Sequence, residues 1–366
     1  MKIKISREIL LPVLQALNNV VERRQTLPIL SNLLCVARSD RLQLTATDME
    51  VELVCEVEAK PTKEGTVAIP ARKLFDICRA LPPEAELSIE EDGNKVRVVS
   101  GRSRFSLATM GADEFPGIGA FDAAVEFEIA TETLADLLES THFAMAHQDV
   151  RYYLNGLLLE MDEGQIRTVA TDGHRLALTD RKLELKLTVP RQCILPRKGV
   201  LEIVRLLGSA GENVRVKVGE NHLCVSTGTQ ALTTKLIDGR FPDYERVIPR
   251  ESDNRILAGR EVLRAGLSRA SILSNEKFRG IRLILTKNLL TAVAHNPEQE
   301  EAQEEIEVEY SGDNLEVGFN VSYLLDVLGV MRADIVRIDL MDASSSCLMR
   351  AAEDGSSRYV VMPMRL

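Results

Sequence analysis

The chain has 366 residues, 45% of them hydrophobic and 27% charged, a length that implies about two to four domains and a composition that excludes disordered, collagenous and low-complexity classes. A net charge of −10 argues against a simple nucleic-acid binder with an overall basic surface. With no apolar run long enough to span a bilayer and no signal-peptide pattern in MKIKISREIL, the expectation is a cytoplasmic protein.

The first predicted element is an amphipathic helix, with Ile9, Leu10, Val13, Leu14, Leu17 and Val21 at helical spacing. A strand follows in LSNLLCVA from Leu30, then a strand and turn in LTATDMEVEL from Leu44. Beyond that turn Val51, Leu53, Cys55 and Val57 alternate with Glu52, Glu56 and Glu58, the period of a strand with one wet face. AIPARKLFDICRAL from Ala68 is a short strand entering a second helix, and a β-rich tail closes the segment.

The same order then returns twice. Leu134, Leu137 and Leu138 open a helix, followed by LNGLLLE from Leu154, RTVATDGHRLAL from Arg167 and ILPRKGVLEIVRLL from Ile194. Val262, Leu263 and Leu267 open another, followed by RGIRLIL from Arg279, LTAVAHNPEQEE from Leu290 and VGFNVSYLLDVLGVM from Val317. Asp48, Asp172 and Asn296 are each 124 residues apart, and Pro70, Pro196 and Asn320 are 126 and then 124 apart. A period kept this closely over three copies is the signature of repeated domains. The predicted domains are 1–120, 121–250 and 251–366, with linkers in GADEFPGIGAFDAA from Gly111 and RVIPRESDNR from Arg246.

Helices predicted over 6–24, 70–80, 131–142, 191–207, 260–269 and 320–332 together hold 14 basic and 9 acidic residues, so they carry +5 and the remainder −15. The candidates for a basic face are Arg24, Arg72, Lys73, Arg79, Arg197, Lys198, Arg205, Arg264 and Arg269, although the helix from Thr131 is acidic. Cations spread over such a face attract duplex phosphate weakly and without regard to sequence. The alternative is ordinary solvated helix surface.

The most enzyme-like string is DGHRLA at Asp172, where Asp172 and His174 would suit acid/base work in a hydrolase. Asp-Gly between two β-like runs is first of all a tight turn, with Gly173 supplying positive φ, and no GxSxG, P-loop, HExxH or GxGxxG accompanies it. The histidines at 142, 147, 174, 222 and 295 lack metal-site spacing, and the cysteines at 35, 55, 78, 193, 224 and 347 contain no CxxC and are expected as buried thiols.

Three further strings point outward. The acidic NPEQEEAQEEIEVE from Asn296 is either a solvated strand or the partner of a basic strand such as GRSRFSL from Gly101, in a subunit contact. QDVRYYLNG at Gln148 places Arg151 beside two tyrosines, which either contact phosphate and bases or pack. YVVMPMRL at Tyr359 is a last strand whose Pro363 belongs on an edge or past the strand end.

Taken together, RRQTLP at Arg23, MAHQDVRYYLNG at Met145, VATDGHRLA at Val169, DGRFPDYERVIP at Asp238, SNEKFRG at Ser274, NPEQEE at Asn296, GFNVSYLLDVLG at Gly318 and YVVMPMRL at Tyr359 closely resemble the bacterial DNA polymerase III beta-subunit family, the sliding clamps, and most of all its gammaproteobacterial members. The match runs in order along essentially the whole chain.

The resemblance implies an α+β fold of three similar clamp domains, helices lining an inner face and antiparallel sheets outside, in a head-to-tail homodimer that closes a six-domain ring around double-stranded DNA. It implies no active site, no cofactor and no metal. The implied partners are the polymerase III alpha subunit, an ATP-driven clamp loader, and other polymerases and repair proteins carrying short peptides with a Gln followed by aliphatic and aromatic residues. Membranes are not among them.

By position, the resemblance assigns DNA contact to Arg24, Arg72, Lys73, Gln148, Arg151, Tyr152, Tyr153, Arg197 and Lys198. It assigns a peptide pocket to Leu154, Thr171, Gly173, His174, Arg175, Leu176, Pro242, Arg246, Val247, Val360, Met362, Pro363 and Met364. The subunit contact would join Lys73, Arg102, Arg104, Phe105 and Leu107 of one chain to Ile272, Leu273, Glu300, Glu301 and Glu304 of the other. Glu245, beside Arg246, and His295, before Asn296, depart from the family's common pattern.

Overall fold

A computed structural model describes residues 1–21, 27–185, 189–250, 252 and 254–365. The first copy of the repeat runs β1 (Lys2–Ser6), α1 (Arg7–Val20), β2 (Asn32–Arg38), β3 (Arg41–Thr47), β4 (Val51–Glu58), β5 (Lys60–Lys63), β6 (Gly65–Pro70), α2 (Ala71–Ala80), β7 (Glu86–Asp92), β8 (Lys95–Ser100) and β9 (Ser103–Ala108). The second runs β10 (Val125–Ala130), α3 (Thr131–Glu139), β11 (Gly156–Asp162), β12 (Gln165–Thr171), β13 (Arg175–Lys182), β14 (Arg191–Pro196), α4 (Arg197–Leu207), β15 (Asn213–Val218), β16 (His222–Ser226) and β17 (Gln230–Lys235). The third runs β18 (Arg255–Gly259), α5 (Arg260–Ala270), β19 (Gly280–Thr286), β20 (Leu289–His295), β21 (Glu301–Glu307), β22 (Leu315–Asn320), α6 (Val321–Val330), β23 (Ile335–Asp339), β24 (Cys347–Ala351) and β25 (Ser357–Val361).

The landmarks fall at equivalent places. Pro70, Pro196 and Asn320 each end the strand that enters the second helix of a copy. Asp48 accepts hydrogen bonds from the backbone N–H groups of Glu50 and Val51, Asp172 from those of His174 and Arg175, and Asn296 from that of Glu300. One polar side chain thus closes the same strand-to-strand turn three times, which explains the 124-residue spacing.

Several expectations need correction. Each copy opens on a strand rather than a helix: in the first, Met1, Ile3 and Ile5 are buried while Lys2 and Lys4 are more exposed, and Ser6 caps α1 by accepting from the Ile9 N–H at 3.4 Å. The helix expected from residue 191 begins at Arg197, because residues 191–196 pair with β11 as a strand. Ile9 and Val262 lie on the solvent side of their helices, and α1 buries Leu10, Val13, Leu14, Leu17 and Val20. Over the observed helices the balance is 10 basic against 8 acidic, since Arg191 stands on β14, Arg332 follows α6, and Arg23 and Arg24 lie outside the described residues. Glu52, expected on a wet face, is buried and accepts from the Ile118 N–H at 3.0 Å, and burial pushes its carboxyl upward.

Every strand pairing among the described residues is antiparallel, and the chain divides into two compact units. Met1–Ala135 with Lys198–Leu236 holds a five-stranded sheet, β5-β1-β7-β8-β9, and an eight-stranded one, β10-β15-β16-β17-β4-β3-β2-β6. Asp136–Arg197 with Ile237–Leu366 holds an eight-stranded sheet, β14-β11-β12-β13-β25-β24-β23-β18, and a four-stranded one, β21-β20-β19-β22. Each eight-stranded sheet is therefore built from two copies of the repeat, joined at β17 with β4 and at β13 with β25.

The six cysteines are free; burial pushes the Cys35, Cys55 and Cys347 thiols up to about 12 and Cys78 to about 11. Among the described residues no helix is long and apolar enough to cross a membrane.

Gly156 sits where β11 and β14 approach closely: a Cβ there would lie 2.5 Å from the Leu195 carbonyl oxygen and 2.7 Å from Ile194 Cγ2. Gly156→Ala is expected to destabilise the protein by roughly 1–3 kcal/mol. Urea unfolding checks this as a lower midpoint with an unchanged slope.

Candidate functional site

One face of the sheet around β13 and β25 carries an apolar cluster of Leu158, Val169, Leu176, Leu178, Ile194, Phe241, Tyr244, Leu348 and Val360, with Tyr153, Ile237 and Ile248 packed against it. Leu176 and Val360, two expected pocket residues, are direct cross-strand partners, and Leu154 is also buried. Past the end of β25, Met362 N–H donates to the His174 carbonyl at 2.9 Å and Met364 N–H to the Gly318 carbonyl at 2.8 Å, so Met362, Pro363 and Met364 lie half-exposed along the rim. Pro242, Arg246 and Val247 are exposed on the segment that carries Phe241 and Tyr244, with Arg246 paired to Asp243 at 2.6 Å.

The Asp172 turn has the geometry its sequence predicted, with Gly173 at φ 89° and Thr171 Oγ1 donating to the Arg175 carbonyl at 2.7 Å. Asp172 accepts from the His174 N–H at 2.9 Å, the Arg175 N–H at 3.1 Å and Arg175 Nε at 3.1 Å. The His174 ring stacks on Tyr323 with centroids 6.5 Å apart. The carboxylate is committed to the turn and to Arg175, which leaves the hydrolase alternative without support.

Arg175 is the hub of the rim. It pairs with Asp172 and Asp326, donates to the Phe143 carbonyl at 2.8 Å, and lies over the Phe143 and Tyr323 rings at 5.2 and 4.5 Å. Phe143, Tyr323 and Asp326 were not singled out from sequence, although Tyr323 and Asp326 stand in GFNVSYLLDVLG.

The expected DNA-contact residues are placed unequally. Arg72 and Lys73 are exposed in the first turn of α2, and Arg197 and Lys198 are half-exposed at the start of α4. Lys198 Nζ also donates to the Val20 carbonyl at 3.0 Å and pairs with Asp48, so its charge is already partnered. Gln148 adopts φ 57°, and Arg151 pairs with Asp149 at 2.8 Å, whose carboxyl those hydrogen bonds hold down at about 2. Tyr152 is 57% exposed and meets Tyr153 edge to face, while Tyr153 packs on the apolar cluster. Arg24 lies outside the described residues.

Two strand edges carry the expected subunit-contact residues. On and beside β9, Arg102 and Arg104 are exposed, Phe105 is half-buried and Leu107 buried. On and beside β21, Glu300 and Glu301 are exposed, while Glu304 forms a two-pronged pair with Arg269 at 2.9 and 2.7 Å. Ile272, directly after α5, is 74% exposed and Leu273 half-buried.

Three copies of one two-sheet repeat, a rimmed apolar cluster and two free strand edges of opposite charge define a multidomain binding scaffold. The family models for the DNA polymerase III beta subunit match its N-terminal domain at residues 1–119, its central domain at 128–243 and its C-terminal domain at 245–365. The chain belongs to the DNA polymerase III beta-subunit family. It is 51% identical to the beta sliding clamp of Pseudomonas aeruginosa and 48% identical to that of Escherichia coli, each over 100% of both chains. It is also similar to solved structures of the Pseudomonas aeruginosa DNA polymerase III subunit beta, with a TM-score of 0.96 at 51% identity over 100% of both chains, and of Caulobacter crescentus pol III beta, with 0.93 at 38% over 100% of both.

Removing the Arg175 side chain strands Asp172 and Asp326 and uncovers two rings. Arg175→Ala is expected to cost roughly 2–4 kcal/mol, below a fully buried pair because Asp326 is half-exposed. Chemical denaturation of the variant beside the parent measures it.

Proposed function

We propose that this chain is a DNA sliding clamp: a non-catalytic processivity subunit, with domains 1–120, 121–250 and 251–366, that closes head to tail with a second copy into a six-domain ring around duplex DNA. Helices face the hole and sheets the outside. An ATP-driven loader opens and places the ring, which then tethers the polymerase III alpha subunit and other polymerases and repair proteins through the pocket around Leu176, His174, Val247, Val360 and Met362.

The observation that carries this reading is the register of the internal junctions. Gln230 stands opposite Cys55 where β17 meets β4, and Ser357 opposite Thr179 where β25 meets β13. Cys55 and Thr179 are 124 residues apart and Gln230 and Ser357 are 127 apart. One more step of each leads to Gln303 on β21 and Ser103 on β9, both edge strands of their sheets. A third junction of the same kind therefore joins β9 of one protomer to β21 of the next, with Ser103 opposite Gln303.

That register sets Arg102 opposite Glu304 and Arg104 one rung from Glu301, with the exposed Ile272 on the short turn that follows α5. The two edges are different surfaces, so the contact is heterologous, and a rotation that closes at two chains makes a ring rather than a fibre. Processivity then comes from topology. Contacts from Arg24, Arg72, Lys73, Gln148, Arg151, Tyr152, Tyr153, Arg197 and Lys198 need only attract phosphate weakly and without sequence preference, which lets a linked ring slide.

The test is retention on nicked circular plasmid after incubation with a bacterial clamp loader and ATP, beside the same plasmid linearised, both washed in high salt. Salt removes phosphate contacts and leaves links intact. Retention on the circle with loss from the linear form is expected; equal loss from both, with the loader active on a control clamp, overturns the reading.

A further inference from the structure

The segment 238–247 forms one wall of the proposed peptide pocket, yet among the described residues no backbone hydrogen bond ties it to a strand. The last such bond before it is Ile237 N–H to the Ile194 carbonyl at 2.8 Å, and Ile248 N–H turns back to Glu245 within the segment at 3.4 Å. Side chains must therefore hold the wall. Phe241 and Tyr244 anchor it in the apolar cluster, next to Leu176 and Val360.

Tyr244 does more than fill space. Its hydroxyl donates to the Glu160 carboxylate and accepts from Arg167 Nη1 at 2.9 Å. Glu160, Arg167 and Asp180 are successive cross-strand partners on β11, β12 and β13. Asp180 is shared by Arg167 and by Arg358 Nη2, the latter at 2.7 Å, and Arg358 stands on β25 two residues before Val360. A single polar rung thus connects the wall, through Tyr244, to the strands that carry the pocket floor.

We propose that Tyr244, held by Glu160 and Arg167, is a positioning residue for the partner-peptide pocket, fixing the wall that presents Pro242, Arg246 and Val247 so that peptide meets a preformed cleft. The proposal rests on the pocket reading given above. Burial, and then the Glu160 carboxylate, hold the Tyr244 phenol above its ordinary value, so the hydroxyl remains a donor at working pH. Glu245 comes within 3.6 Å of Arg167 and adds a second, solvent-exposed link to the same rung.

A wall that loses its anchor samples open states, and the apparent affinity falls by the fraction of molecules that remain competent. That loss appears as slower association with unchanged dissociation, whereas loss of a direct peptide contact speeds dissociation. The probe is a fluorescently labelled peptide carrying Gln followed by Leu and Phe, with binding kinetics followed on the full-length protein. Tyr244→Phe keeps the ring and the packing; it is expected to weaken binding about tenfold, in the association rate, as befits a part-buried charge-assisted hydrogen bond.

Glu160→Gln is expected to weaken binding in the same phase, and the double variant to be no weaker than the worse single one, because both side chains act on one rung. Oligomeric mass and retention on circular DNA stay at the parental level. Parental affinity in Tyr244→Phe, or a loss confined to faster dissociation, overturns the positioning role while leaving the pocket reading standing. A parental protein that binds no peptide overturns the pocket reading, and the proposal with it.

Discussion

A strand at the edge of a sheet leaves a row of backbone N–H and C=O groups without partners, and those groups dominate how this chain is put together. Each copy of the repeat shares at least one of its sheets with a neighbouring copy. β4 is completed by β17 and β13 by β25, so the middle copy contributes half of each eight-stranded sheet. The two compact units follow directly: the sheets, rather than the repeats, are the units of packing. The same constraint leaves β9 and β21 as the strands at which the pattern is still to be continued.

The threefold plan was legible in the sequence because the residues that mark it are turn formers and strand ends, which are constrained locally. An Asp or Asn that closes a turn on its own backbone leaves a trace at fixed spacing. Asp172 and Gly173 were legible for the same reason. The opening strands were not, since five residues such as KIKIS carry too short an alternation to stand apart from the helix that follows. Nor was the start of α4, where Ile194 and Leu195 form too short an apolar run before Pro196 and Arg197 to show the period of a strand.

What sequence reasoning could not reach was distance. Arg175 and Asp326, Lys198 and Asp48, and Tyr244 and Glu160 are 151, 150 and 84 residues apart. No local signal announces such pairs. Yet they decide how candidate residues behave: Lys198 carries a partner before any phosphate arrives, Tyr153 is part of a packed cluster while Tyr152 faces water, and His174 stacks on a ring rather than meeting a carboxylate. His295, the last residue of β20, stands opposite Glu301 of the acidic edge strand and lies 3.4 Å from its carboxylate.

The central claim is that the third junction repeats the first two, and a cysteine pair placed on its predicted rung tests it most directly. Ser103→Cys with Gln303→Cys puts two thiols opposite each other across β9 and β21 of neighbouring protomers, within the Cα separation that a disulfide spans. The native thiols make a quiet background, being buried or partly buried with their pKa values pushed upward. Mild oxidation is predicted to give one covalent dimer, whereas Ser103→Cys with Glu307→Cys, four residues out of register, gives none. No covalent dimer from the first pair, or equal yields from both, would contradict the account.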